Sequence, residues 1–197
     1  MRRLALPLLF AALAALAAPA RAAEKYIVHD DQPMVDARRP APGKALIYFV
    51  RTQRAGFAVK VKLYADGKLS GLIMSKTYIP VEVDPGKHEF IAAAENAGFL
   101  EAEVAADRIY YVQVAIHMGA VKARTHFEVI RPGSEAMKEL LKAQKDLRAI
   151  TTTDEGLQWA NEEDPDIQAV IAKFREKGEE FEHLKAEDGF TQPPWVK

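Results

Sequence analysis

A mainly β fold, an antiparallel β-sandwich of about eight strands followed by two C-terminal α-helices, is what this sequence predicts. Three observations carry the expectation. Between Lys44 and Ile130 apolar residues recur with a period of two, the spacing of strands whose alternate side chains share a face. Turn pairs follow one another too closely for crossover helices, so neighbouring strands are expected to run antiparallel. After Arg131-Pro132-Gly133 the apolar spacing becomes helical.

The chain opens with Arg2 and Arg3, an uncharged apolar run from Leu4 to Ala18, and small residues at Ala20 and Ala22. This three-part pattern predicts a cleaved secretory signal over residues 1–22. The run is shorter than the roughly 20 residues needed to cross a bilayer core. The expected mature chain begins near Ala23 and is periplasmic or secreted. Removing residues 1–22 takes away Arg2, Arg3 and Arg21 and no acid, which turns the formal charge of −1 into −4. An acidic chain has no net attraction for nucleic acid or anionic lipid. Cysteine is absent, so neither a disulfide nor Cys lipidation is available and a hydrophobic core must carry the stability.

Residues 23–43 hold Pro33, Pro40, Pro42 and Gly43 among mixed charges and read as a leader segment, ordered on contact or mobile. The predicted β-sandwich domain spans 44–131. Ala45 to Val50 is apolar on both faces, as in a central strand. Val59, Val61 and Leu63 alternate with polar neighbours, and Asp66-Gly67 suits a tight hairpin turn into Leu69 to Met74. Tyr78 to Val83 runs into Asp84-Pro85-Gly86, a type II turn sequence. Lys87 to Ala94, Phe99 to Val104, Ile109 to His117 and Lys122 to Ile130 complete the set, with turns at Asn96-Ala97-Gly98 and Gly119-Ala120. Tyr48, Val61, Phe90, Val112 and Val114 are the expected core.

A helix is expected over 134–150, with Ser134 as N-cap, Glu135 in its first turn, and Met137, Leu140, Leu141 and Leu147 on one face. Thr151 to Gly156 reads as a polar hinge. Residues 157–197 form a predicted helical arm and tail. Its helix opens at Asp164-Pro165, shows Ile167, Val170, Ile171, Phe174, Phe181 and Leu184 on one side, and weakens at Gly178. An apolar stripe of that size is expected to dock on the sandwich.

No hydrolytic nucleophile motif, phosphate-cradling loop or H-E-x-x-H is present, and no catalytic, cofactor-binding or metal-ligating residue is assigned. His29-Asp30-Asp31 reads as solvated leader. His117 and His126 are the tempting pair. With a two-residue loop at Gly119-Ala120, His117 faces Lys122 and His126 faces Gln113, which sets the imidazoles roughly 13 Å apart at about 3.3 Å per residue. At that distance they share no metal. His88 and Glu89 point to opposite faces of one strand. Glu162-Glu163-Asp164 reads as a helix N-terminus and Glu179-Glu180 as a solvated helix face. Tyr48, Phe49, Tyr64, Tyr78, Phe90, Phe99, Tyr110 and Tyr111 suggest sugar stacking less strongly than core filling. Arg51 and Arg54 form a weak anion-site candidate beside the ordinary reading of exposed loop arginines.

The blocks Gly43 to Arg51, Val61 to Tyr64 with Asp66-Gly67, Val83 to Phe90 and Tyr110-Tyr111-Val112 stand in an order that resembles the bacterial domain-of-unknown-function family 2846. The likeness covers residues 41–131. A weaker one runs to PEGA-type modules through Pro85-Gly86-Lys87-His88. Family members commonly carry glycine shortly before the Tyr-Tyr-Val block, where this chain has Asp107-Arg108. The resemblance implies an exported or envelope-attached protein with a small β-sandwich, and brings no catalytic residue, cofactor or ligand. The expected function is that of a non-catalytic exported protein that binds an unknown envelope or periplasmic partner. Small-molecule or glycan binding by the sandwich loops is the alternative, and a hydrolase without recognisable motif a remote one.

Overall fold

The computed structural model describes residues 25–34, 39–118, 123–163, 167–176 and 181–196. The expected signal segment, the Gly119-Ala120 turn, the Asp164-Pro165 helix start, Gly178 and Glu179-Glu180 lie outside the described residues.

The chain is mainly β. Its strands among the described residues are β1 (Ile27–Pro33), β2 (Ala45–Arg51), β3 (Val61–Ala65), β4 (Lys68–Ile73), β5 (Thr77–Val83), β6 (Gly86–Ala93), β7 (Ala97–Val104), β8 (Arg108–Met118), β9 (Ala123–Val129), β10 (Arg148–Thr152) and β11 (Glu182–Leu184). The helices are α1 (Glu135–Ala143), α2 (Asp154–Glu163) and α3 (Ile167–Glu176), with a 3₁₀ turn at Ala186–Asp188. They form a six-stranded sheet in the order β1-β10-β5-β2-β8-β9 and a five-stranded sheet in the order β11-β7-β6-β3-β4.

Local sequence explains the hairpins. Asp66 and Gly67 both take positive φ, 49° and 75°, the geometry of the turn that matches strand twist. Gly86 also has positive φ after Pro85. Pro80 pairs with Tyr48 on β2, whereas β10 pairs with β5 only at Thr77 and Tyr78. A residue without an N–H is thereby kept off a ladder on both sides. Gly98 lies within β7 rather than in the preceding turn, which occupies residues 94–96.

Alternate residues of both sheets meet in one apolar cluster that includes Ile47, Phe49, Val61, Leu63, Phe90, Leu100, Val112 and Val114. Phe49 sits at its centre, 4.9 Å from the Phe90 ring and 5.7 Å from Phe127. The opposite faces are covered too. On the six-stranded sheet Leu46, Tyr48, Val50, Tyr78, Ile109 and Tyr111 pack under Met137 and Leu140 of α1. Tyr48 is therefore buried as expected, but on the outer face, stacked on Tyr111 at 5.5 Å. On the five-stranded sheet Tyr64, Ile91, Ala93 and Phe99 meet Ile171 of α3 and Phe181. Phe190 and Trp195 pack against the cluster under α1, so the C-terminal arm is docked on both sides.

Several expectations need correction. The sheets are not purely antiparallel: β2 pairs with β8, β5 with β10, and β7 with β11 in parallel. Close turns fix the direction of sequence neighbours only. β2 and β8 are joined through all of β3–β7, a crossover long enough to bring β8 back in the same direction. Of the two readings of the leader, residues 27–33 take the ordered one, as β1 against β10. The helix expected over 134–150 ends at Ala143, its last three residues open β10, and the supposed hinge supplies the end of β10 and the first turn of α2. Ser134 does cap α1, accepting from the Met137 N–H at 3.1 Å. Beyond Lys145-Asp146 the chain turns, and Ile150, Thr151 and Thr152 favour a strand through their β-branched stiffness. Leu147 still joins the cluster beneath α1, which is why it fitted a helical spacing. In the arm, Leu184 belongs to β11, not to a helix, and Glu162 and Glu163 end α2 instead of opening a helix.

Phe90 is fully buried between the sheets. Phe90→Ala should lower stability by about 3–5 kcal/mol, seen as a fall in the chemical denaturation midpoint. An unchanged midpoint would place the ring outside the core.

Candidate functional site

The two sheets come together along one side of the molecule, where β9 edges the larger sheet and β11 edges the smaller one. Gly98 makes the close approach possible. A Cβ on it would lie 2.8 Å from the His126 Cα and 2.9 Å from the Thr125 carbonyl oxygen. Asn96 then clamps the edge at two points: its Oδ1 accepts from the Thr125 N–H at 2.6 Å, and its Nδ2 donates to the Thr125 carbonyl at 3.4 Å. Further along, Glu182 Oε1 accepts from the Val129 N–H at 3.4 Å.

Arg131 secures the returning chain. Its Nε donates to Asp188 Oδ1 at 3.0 Å, its Nη2 to the His183 carbonyl at 2.8 Å, and its Nη1 lies 3.6 Å from Glu182 Oε1. Between these ties lies an open cleft of about 820 Å³ lined by, among others, Phe99, His117, Arg124, His126, Phe181 and Lys185. Arg124 and Lys185 are exposed and form no ion pair among the described residues. His183 Nδ1 approaches Glu101 Oε2 at 3.5 Å.

His117 and His126 touch, with ring centroids 4.3 Å apart and planes at 65°. This corrects the expected separation. The ladder pairs His117 with Arg124, Ala115 with His126, and Met118 with Ala123, not His117 with Lys122 and Gln113 with His126. The shift moves the pairing by two positions, so every side chain keeps its face and only the distance along the ribbon changes. Hydrophobic alternation is blind to such a shift. Loop length is the sequence signal that distinguishes the two registers. Burial holds the His126 pKa below its ordinary value, and the neighbouring His117 pushes it further down, against a smaller opposing pull from Glu182. Among the described residues no group of three His, Asp or Glu side chains converges as a metal site.

The other residues considered from the sequence have structural surroundings. Arg51 is not an exposed loop arginine but fully buried, donating to the carbonyls of Val59, Ala55 and Gly56 at 2.7, 2.9 and 2.6 Å. It shapes the loop after β2, and desolvation lowers its pKa to about 10. Arg54 is exposed on that loop. His88 Nε2 donates to the Asp84 carbonyl at 2.8 Å and its Nδ1 lies 2.8 Å from Asp66 Oδ2, which ties two hairpin turns together. Glu89, on the other face, pairs with Arg175 of α3. His29 and Asp30 are exposed on β1. All eight strand aromatics considered for sugar stacking are buried. No family model matches the chain, and no curated protein matches it.

His126 gives the cleft a pH signature. Its folded-state pKa is lowered, so the unfolded chain takes up the proton first as pH falls through the ordinary value of 6.5. Its contribution to stability is complete above that value and is lost below it. His126→Gln should flatten the decline in thermal midpoint between about pH 7.5 and 5.5. An identical decline in both proteins would show that the imidazole takes no part.

Proposed function

We propose that this chain is a non-catalytic exported protein, periplasmic or secreted after cleavage near Ala22, built on a β-sandwich whose working surface is the β9–β11 cleft. The observation that carries the reading is that cleft, in which Arg124 and Lys185 face solvent without ion-pair partners among the described residues while the eight strand aromatics are packed away. A surface of unneutralised cations suits recognition of an acidic partner or ligand. The single apolar cluster between the two sheets, centred on Phe49, supports the sandwich architecture. The three-part N-terminal pattern supports export. Asp107 supports the likeness to domain-of-unknown-function family 2846: it holds φ of 57° at the turn where family members carry glycine, in a region that Asp tolerates better than most residues. Buried rings give the glycan reading little support, and the open cleft favours binding of a small charged ligand as the second reading.

Fractionation with N-terminal sequencing tests the export reading, with a soluble extracytoplasmic chain beginning at Ala23 expected. A chain that retains Leu4 to Ala18 would overturn it. A photo-crosslinker at position 124, compared with one at position 68 on β4, tests the surface. Adducts specific to 124 support the cleft, and equal labelling at the two positions overturns it.

A further inference from the structure

The β9–β11 cleft contains more positive charge than the fold uses. Arg131 is consumed by Asp188, Glu182 and the His183 carbonyl. Arg124 comes from β9 and Lys185 from the residue after β11, so two separate elements bring a cation each to one concave surface. Neither is needed to neutralise a carboxylate of the described residues. Beside them stands the His117–His126 pair, two imidazoles in contact with His126 part-buried. A metal cation would have to enter between Arg124 and Lys185, against Coulomb repulsion, with two imidazoles in place of the usual four ligands. An anion meets none of these obstacles.

We propose that this cleft binds a small soluble ligand bearing a phosphate-type oxyanion, held by Arg124 and Lys185 beside the His117–His126 pair. The inference rests on the reading of the cleft as the working surface and adds the chemistry of its occupant. Cations on two elements favour a ligand with several anionic oxygens, because a guanidinium engages two oxygens in a fork while an ammonium acts as a point charge. The concavity of about 820 Å³ suits a small molecule better than a flat bilayer.

A proton on His126 would answer to the groups around it. His117 comes from β8, Arg124 and His126 from β9, Arg131 from the following turn, and Glu182, His183 and Lys185 from the returning chain, with Glu101 of β7 beside His183. Asp188 completes the set, and with Glu182 it is taken up by Arg131, so burial and the neighbouring His117 leave a proton on His126 disfavoured while the cleft is empty. A bound oxyanion reverses the local potential and favours the imidazolium, as the burial and mutual repulsion that hold down the His126 pKa would require. By linkage, a ligand that raises the affinity for a proton is itself bound more tightly as pH falls.

Calorimetric titration of the mature full chain with inorganic pyrophosphate, at constant ionic strength between pH 5.5 and 8, tests this. The expected result is saturable binding that weakens by up to about tenfold per pH unit as pH rises through the histidine range, and levels off above it. The His126 imidazole proton resonances should shift on binding. Arg124→Ala and Lys185→Ala should each weaken binding by about tenfold or more, while Lys68→Ala on the distant β4 edge leaves it unchanged. Both cleft cations are exposed and unpaired among the described residues, so unliganded thermal midpoints should stay the same in these variants. Heat no different from equimolar chloride, equal loss in Lys68→Ala, or pH-independent affinity with unmoved His126 resonances would each overturn the proposal. Binding to phosphatidylglycerol vesicles without binding to pyrophosphate would overturn it as well. Loss of the oxyanion result while crosslinking from position 124 persists would refute the ligand class alone; loss of both would refute the cleft as the working surface.

Discussion

Burial of β2 on both faces is the constraint on which the rest of this structure depends. Every residue from Ala45 to Arg51 is buried. Ala45, Ile47 and Phe49 enter the cluster between the sheets, while Leu46, Tyr48 and Val50 point the other way. A sheet with one apolar face needs only a second sheet, but a sheet centred on such a strand needs a second cover. β8 imposes the same demand through Ile109 and Tyr111. Helix α1 answers it directly, and Phe190 and Trp195 extend the cover by packing edge-on to Tyr111 at 5.6 and 5.7 Å.

The same demand explains why the segments on either side of the central strands are folded into the sheets. To bring α1 over the outer face the chain must leave β9, cross the larger sheet and return. It does so by inserting β10 between β1 and β5. β1 is then ordered by β10, and Gly156 at the start of α2 fits against the Tyr26 carbonyl, where a Cβ would be impossibly close. The final segment is seated by Tyr110, whose hydroxyl accepts from the Ala105 N–H at 2.8 Å and donates to the Ala186 carbonyl at 3.2 Å. Its ring leaves room for no side chain at position 189. Leader, sheets and C-terminal arm thus stabilise one another, and none is an appendage among the described residues.

This interdependence marks the limit of what could be read from sequence. The alternation of Val112, Val114 and Ile116, the Asp66-Gly67 turn and the Ser134 cap are local statements, and local chemistry determines them. The doubly apolar run at Ala45 to Val50 identified the central strand for the same reason. β10 and β11 are different. Arg148 to Thr152 and Glu182 to Leu184 are too short to show a period, and they become strands because unsatisfied edges of β5 and β7 lie beside them. Parallel pairing of β2 with β8 is likewise a property of the whole path. The histidine contact fell between these cases. Its two strands and the facing of each residue were legible, but registers two positions apart bury the same side chains, and only the loop length separates them.

The cleft follows from the way the structure handles an exposed edge. An unpaired edge strand invites pairing with another chain, and most folds add a strand, a charge or a bulge there. Here the edge of β9 is closed by side chains: Asn96 occupies both backbone groups of Thr125, and Glu182 accepts from Val129. Side-chain caps take less room than a strand, so the surface beside the capped backbone stays concave rather than filled. The residues beside that edge, Arg124 and His126, therefore remain accessible while the backbone between them is satisfied. Protection of the edge and formation of the cleft are one arrangement, and a strand in place of Asn96 and Glu182 would secure the first only by removing the second.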